Sequence, residues 1–320
     1  MILLIECRRY ITRAAMTEQS FQKRILRPLL ISLVLLLSLG CLRAQVSKCV
    51  FKPPDESVLG ALSEAIRKDP KNPAVYLERG KAFCDLSRYD EALKDIDGAL
   101  VLDPKFPDAY ALRGKIYFSR GNLKRSVEDL SQAIDLRPGN LDVYLARALS
   151  YQYSDQMDLA LQDSIFVLNL NGSSLDALYY SGFAAFYLNM KGPANNYFDT
   201  AHQLASKTIE SHPEDPCSST AYAIRGMIRS YRKNYKEAEI DLKTAKELAG
   251  PYDTDSRYEL ALLYTKIKYY QFAVDELNEI ISIDQEDALA YLRRAEVHDL
   301  MYQKEKAAAD RKKYAEISSK

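Results

Sequence analysis

The stretch LERGKAFCDLSRYDEALKDIDGAL, which begins at Leu77, returns 34 residues later from Ala111 as ALRGKIYFSRGNLKRSVEDLSQAI. A unit this short cannot bury its own apolar face, so a chain that repeats it must stack the copies along a line. The register continues beyond these two copies. Tyr76, Tyr110 and Tyr144 keep the step with Leu178 next, and so do Gly80, Gly114, Ala148 and Gly182, and Ala92, Ser126, Ala160 and Ala194. Each unit reads as two helices with apolar residues at helical spacing, split by a short polar turn such as DLSRYD or SRGNLK. Asn72-Pro73 supplies an N-cap and then a proline whose missing N–H costs nothing there. Asp103-Pro104 and Arg137-Pro138 stop the second helices.

A helix-turn-helix array of this period and pattern resembles the tetratricopeptide repeat family. It departs from the pattern where tryptophan often stands: the chain has no Trp and 23 Tyr. The resemblance implies an all-α fold, a right-handed α-solenoid in which stability comes from stacking. Seven units are expected, beginning near Pro73, Pro107, Leu141, Leu175, Ser219, Thr254 and Ala288, with the sixth degenerate. A half-unit over 55–70 precedes them, and extra residues at about 209–218 separate the fourth from the fifth. Arg311 stands where earlier units place Ile96, Leu130 or Leu242, as a solvent-facing end requires.

An acid follows the arginine of each clear unit at a constant offset of sixteen residues. The pairs are Arg79/Asp95, Arg113/Asp129, Arg147/Asp163, Arg225/Asp241 and Arg294/Asp310. In a helical hairpin that offset places the two residues on facing helices. They are expected to form structural ion pairs that set the hairpin register through charge-assisted hydrogen bonds.

The resemblance also implies a concave groove lined mainly by the first helix of each unit, which takes a segment of another protein or peptide. Its positions here are Leu77, Phe118, Leu149, Tyr153, Tyr179, Phe183, Tyr187, Met227, Tyr231, Tyr258 and Leu262. This lining is aromatic and apolar, and aromatic side chains commonly anchor interfaces. The Lys/Asn set by which some family members clamp a C-terminal carboxylate is missing. The alternative function is a structural or self-assembling envelope module that uses repeat ends or the convex face.

Residues 1–44 read as a signal peptide. Lys23, Arg24 and Arg27 precede an apolar run from Leu29 to Leu39, followed by small residues at Ser38, Gly40 and Ala44. Met16 would give a conventional basic start, residues 45–54 read as a linker, and the solenoid fills 55–320. Export is therefore expected, to the periplasm or envelope of a bacterium. Cys41 in LSLGC partly resembles a lipoprotein box, which leaves soluble and lipid-anchored forms both open. Cys49, Cys84 and Cys217 allow one disulfide without indicating which.

Lys+Arg and Asp+Glu are equal at 44 each, and removal of residues 1–44 leaves a net charge of −5. Such a chain has no electrostatic reason to seek nucleic acid, and it would meet a membrane only through the signal segment or a lipid anchor. His202, His212 and His298 have no metal spacing and no nucleophile beside them. His212, Glu214, Asp215 and Cys217 form a weak cluster in a loop. No enzyme activity, metal or cofactor is expected.

Overall fold

The computed structural model describes residues 56–319. The signal-like segment, Cys41 and the linker to residue 54 lie outside them. The described residues form fifteen α-helices and one short 3-10 turn, with no strand among them. A single helix, α1 (Glu56–Lys68), comes first. Seven hairpins follow: α2 (Pro73–Asp85) with α3 (Tyr89–Leu102), α4 (Pro107–Ser119) with α5 (Leu123–Leu136), and α6 (Leu141–Tyr153) with α7 (Met157–Leu170). Next come α8 (Leu175–Tyr187) with α9 (Lys191–Ser211), and α10 (Ser219–Tyr231) with α11 (Tyr235–Ala249). The last two are α12 (Asp255–Lys266) with α13 (Tyr270–Ile283), and α14 (Ala288–Leu300) with α15 (Lys304–Ser318). The extra residues between units four and five lengthen α9 to 21 residues and then form a loop with the 3-10 turn Pro216–Ser218.

Helix ends follow from local chemistry. Asn72 Oδ1 accepts the Ala74 N–H at 3.1 Å, with Pro73 opening α2. Within each hairpin the chain reverses through one residue in the left-handed region: Ser87, Gly121, Asp155, Asn189, Lys233, Lys268 and Tyr302, with φ between 55° and 71°. A backbone bond of 2.8–2.9 Å spans every one of these turns, as from Arg88 N to Phe83 O and from Gln303 N to His298 O. It is the six-to-one closure that satisfies an orphan carbonyl at a helix end.

The hairpins that carry glycine at the fixed position of the first helix close on it with a side chain sixteen positions on. A Cβ placed at Gly114 would lie 2.8 Å from Leu130 Cγ, one at Gly226 2.9 Å from Leu242 Cγ, and one at Gly182 2.7 Å from Phe198 Cε1. Where unit three carries Ala148 instead of glycine, the facing residue shrinks to Ser164, whose hydroxyl bonds the Ala160 carbonyl at 2.8 Å. Volume is thus exchanged across the hairpin at nearly constant packing.

The arginine–aspartate pairs lock the same hairpins. Arg79, Arg113, Arg147, Arg225 and Arg294 reach both carboxylate oxygens of Asp95, Asp129, Asp163, Asp241 and Asp310 respectively, at 2.6–3.0 Å. The geometry is bidentate, and all five aspartates are buried.

The pairs expected within the hairpins also draw in further polar groups, as Asp95 and Asp310 show. Asp95 is buried, but its partner Arg79 also donates through Nη1 to Ser63 on α1 at 3.1 Å. Asp310 is buried between two polar neighbours of α14, with His298 Nε2 at 3.8 Å in addition to the two Arg294 bonds. The physical reason is enclosure: a carboxylate cut off from water between two helices draws in the polar groups that remain within reach. Arg113, Arg147 and Arg294 follow Arg79 in reaching sixteen residues back, onto the second helix of the preceding unit. Their Nη1 atoms donate to Asp97, Ser131 and Asn278 respectively, at 2.6–3.0 Å. One side chain therefore sets both the hairpin and its stacking on the previous unit.

Two outcomes are expected. Gly182→Ala forces its methyl into Phe198, which has no room to move, so it should destabilise by about 1–3 kcal/mol despite the better helix propensity of alanine. Phe198→Leu in the same chain should recover most of that loss in urea unfolding. Asp129→Asn leaves the Arg113 guanidinium short of its partner and should cost about 2 kcal/mol or more. The double variant Arg113→Met/Asp129→Leu should lose less than the two single changes summed, as read by a double-mutant cycle.

Candidate interaction surface

From α2 to α12, the first helices of successive units pack on one another, whereas the second helices make no comparable contact among themselves. The first helices therefore lie on the inside of the curve and the second helices outside. The curve presents two kinds of first-helix residue, and the structure separates them.

Of the eleven lining positions expected from the sequence, Leu77, Phe118, Leu149, Tyr179, Phe183, Met227, Tyr258 and Leu262 are buried. They are not free to meet a partner, which corrects their assignment to an open groove. The reason is packing between helices. Tyr179 turns toward the second helix of its own unit and lies 6.0 Å, centroid to centroid, from Phe198, and Tyr258 donates its hydroxyl to Asp287 at 2.7 Å. Phe118 meets Tyr153 edge to face at 5.3 Å.

Tyr153, Tyr187 and Tyr231 keep partial exposure. Each is the last residue of its first helix, in α6, α8 and α10, so the three occupy equivalent positions in consecutive units. Neighbouring rings hold them in place. Phe183 lies 5.7 Å from Tyr187, and Tyr231 packs on Phe186 at 5.1 Å and on Phe198 at 4.7 Å. The row is thus an edge of fixed rings, each with part of its face or rim toward solvent.

Beyond this row, in the sixth and seventh units, the inner helices carry charge. Glu259 and Lys266 stand seven residues apart on α12, and Arg293 is on α14, where its Nη1 bonds Glu296 at 2.9 Å. Burial pushes the Glu259 carboxyl up to about 8, against the pull of Lys266 and Arg293. Burial also brings the Lys266 ammonium down to about 8, and its Nζ lies 3.3 Å from Ser230 Oγ. On α4, burial lowers Lys115 as well. Lys115 stands at a groove position of the repeat, whereas Glu259 and Lys266 escaped a reading by groove positions because α12 departs from the repeat pattern.

His212, Glu214, Asp215 and Cys217 do not form a metal site: among the described residues no group of three or more His, Cys, Asp or Glu could hold an ion. Asp215 instead caps the 3-10 turn, accepting the Cys217 N–H at 2.8 Å. No helix among the described residues is long and apolar enough to cross a membrane.

Helical hairpins stacked in this way define an α-solenoid, and comparison with known proteins matches part of it to a repeat family. A tetratricopeptide repeat model matches residues 59–105 and 77–141. Among solved structures, the Cut9–Hcn1 assembly of APC/C gives a TM-score of 0.53 at 18% identity, over 77% of this chain and 47% of that one. A monomeric IFIT1 mutant bound to m7Gppp-AAAA gives 0.52 at 15% identity, over 82% of this chain and 64% of that one. MamA gives 0.45 at 22% identity, over 48% of this chain and 89% of that one. The chain thus spans about half the Cut9–Hcn1 chain and under two thirds of the IFIT1 chain that it matches. No curated protein matches at a significant level. The matched residues thus read as tetratricopeptide repeats, and the likeness to the Cut9–Hcn1 and IFIT1 structures extends to the solenoid fold.

The buried acid sets a pH dependence. Its folded pKa lies above the ordinary 4.5, so the stability contribution is complete below 4.5 and is lost as pH rises toward 8. Lys266, brought down to about 8 by burial, opposes this fall only near the top of the window, where the unfolded chain holds the lysine proton that the folded chain begins to lose. The melting temperature should fall between pH 5 and pH 8, and the Glu259→Gln variant should flatten that fall. An unchanged slope in the variant, followed by circular dichroism, would remove Glu259 from the account.

Proposed function

We propose that this chain is a non-catalytic scaffold, exported to the bacterial envelope, that holds a segment of another protein along the tyrosine row of its inner helices. A tetratricopeptide-repeat fold suggests a protein-interaction scaffold. The observation that carries the finer reading is the alignment of Tyr153, Tyr187 and Tyr231 at the ends of three consecutive first helices, each partly exposed and braced by rings. Braced aromatics offer contact area that loses little entropy on binding, and their hydroxyls add directional bonds. Spacing by one residue per unit suits an extended segment that runs across the units and meets one ring at each. Export is supported by the basic residues Lys23, Arg24 and Arg27 ahead of the apolar run Leu29 to Leu39.

The test is affinity capture from an envelope extract, with the wild type and a Tyr153→Ser/Tyr187→Ser/Tyr231→Ser variant of unchanged helicity as baits. A protein held by the wild type and lost by the variant is the expected result. Equal capture by both baits would place binding on another face. Mass spectrometry of the mature chain should find residues 1–44 removed, and an intact N-terminus would overturn the export reading.

A further inference from the structure

The first three units touch the seventh. Arg120, just after α4, is 1% exposed, and its Nη2 donates to Asp90 Oδ1 of unit one and to Glu286 Oε2, both at 2.7 Å. Glu286 belongs to the loop that leads into α14. Beside it, the Tyr89 hydroxyl at the start of α3 donates to Asp284 Oδ2 at 2.7 Å, 195 residues away in sequence. The Arg293 guanidinium of α14 lies 5.7 Å from the centre of the Tyr153 ring in unit three. The ring of Tyr314, on α15, covers Gly121: a Cβ there would be 2.9 Å from Tyr314 Cε2.

Gly121 shows that this contact is written into the sequence. Seven equivalent turn residues have φ between 55° and 71°, and six of them are not glycine. A left-handed backbone therefore does not by itself demand glycine at this turn. What distinguishes the second turn is the tyrosine ring of the last helix lying against it.

We propose that unit seven is a detachable strap: docked on units one to three it holds the solenoid shut, and undocked it uncovers the inner edge. The named contacts are polar or ring-mediated: hydroxyl to carboxylate, guanidinium to carboxylate, guanidinium over a ring, and a ring over a glycine. Contacts of this kind characterise interfaces between separable parts rather than obligate cores. Arg120 is enclosed, but Asp90 is half exposed and Glu286 a quarter exposed, so water and ions reach the rim of the link. The strap also bears on binding, a consequence that rests on the function proposed above. Arg293 sits on Tyr153, one member of the tyrosine row, so the docked strap and a partner segment compete for that ring. A partner that takes only the undocked form draws the population toward it.

The experiment uses the full chain and needs no partner, so it stays distinct from the capture test. Gly121→Asn and Glu286→Arg are made singly and together, with asparagine chosen because Asn189 already occupies an equivalent turn. Small-angle scattering and amide hydrogen exchange are then read beside far-UV circular dichroism. The double variant should keep its helicity, gain radius of gyration, and exchange the amides of α14 and α15 about ten-fold faster or more. Scattering and exchange identical to the wild type would overturn the proposal, because the contacts would then hold nothing shut. Loss of helicity along the whole chain in both single variants would overturn it too, since unit seven would then belong to one indivisible core. Tyr89→Phe, which removes the bond to Asp284 and keeps the ring, should give an increase in exchange confined to α14 and α15.

Discussion

The arginine of the first helix, bonded forward and backward by sixteen residues, is the interaction on which the rest of the structure depends. An isolated hairpin of two helices has apolar contacts that tolerate sliding along the helix axis. A bidentate bond to a buried aspartate does not, because both oxygens are met in only one register. The reach back to Asp97, Ser131 or Asn278 extends the same constraint from one unit to the next. Small errors in register would otherwise accumulate along a one-dimensional stack. Where the clasp is missing, something else holds the position. In unit four, Ser181 and Tyr197 stand at the two clasp positions, and the cluster of Tyr179, Phe198 and Tyr231 supplies packing. In unit six, Leu260 replaces the arginine, and Glu276 is met instead by Lys246 at 2.7 Å and Arg257 at 3.2 Å.

The clasps were legible in the sequence because a fixed offset within a fixed period leaves few arrangements for two opposite charges. What the offset did not reveal is the further company these groups keep, Ser63 beside the Arg79–Asp95 clasp and His298 beside Asp310. The same periodic logic made the units and their turns legible. The lining was less so, and Tyr179 shows why. Its place in the repeat is that of an inner-face residue, but Gly182 leaves room for the Phe198 ring, and Tyr179 packs against that ring between the helices. A position rule assigns a face to a residue; it does not know whether a neighbour has left a gap. Tyr153, Tyr187 and Tyr231 keep their exposure because, as last residues of their helices, they lie at the edge of the packed layer. The contact of units one to three with unit seven carries no periodic signal, since it joins positions as far as 195 residues apart. Its one trace in the sequence is a glycine at Gly121 where six equivalent turns do without one.

These three levels bear on one another. Clasps and hairpin cores fix the step from unit to unit, and that step determines where the seventh unit arrives relative to the first. The fit at Arg120 is therefore a consequence of accumulated geometry, and it can be close only if every preceding step is held. The insertion after α9 interrupts the regular step between units four and five, and the arginine of unit five correspondingly has no polar residue sixteen positions back: Ile209 stands there, buried. Unit five compensates on its other side, where Asp241 accepts from both Arg225 and Arg229. The array is thus bound most tightly within its hairpins and most regularly in its first three units. The change of step falls between the units that clasp each other and the unit that returns to meet them.

The inner charges complete this picture. Glu259 and Lys266 lie on the inner helix of unit six, Lys266 against Ser230 of unit five, while Arg293 of unit seven lies over Tyr153 of unit three, and burial disfavours the ionised forms of Glu259 and Lys266. A purely apolar inner face would have closed more firmly and would have had no reason to open. Charges enclosed by the approach of two parts are rehydrated when those parts separate, which offsets the bonds broken at Arg120 and Tyr89. The two terms oppose each other at the same seam. A solenoid whose ends meet through balanced terms of this kind can be shut without being sealed, and that property is what a scaffold needs if its binding edge is to be covered and still be reached.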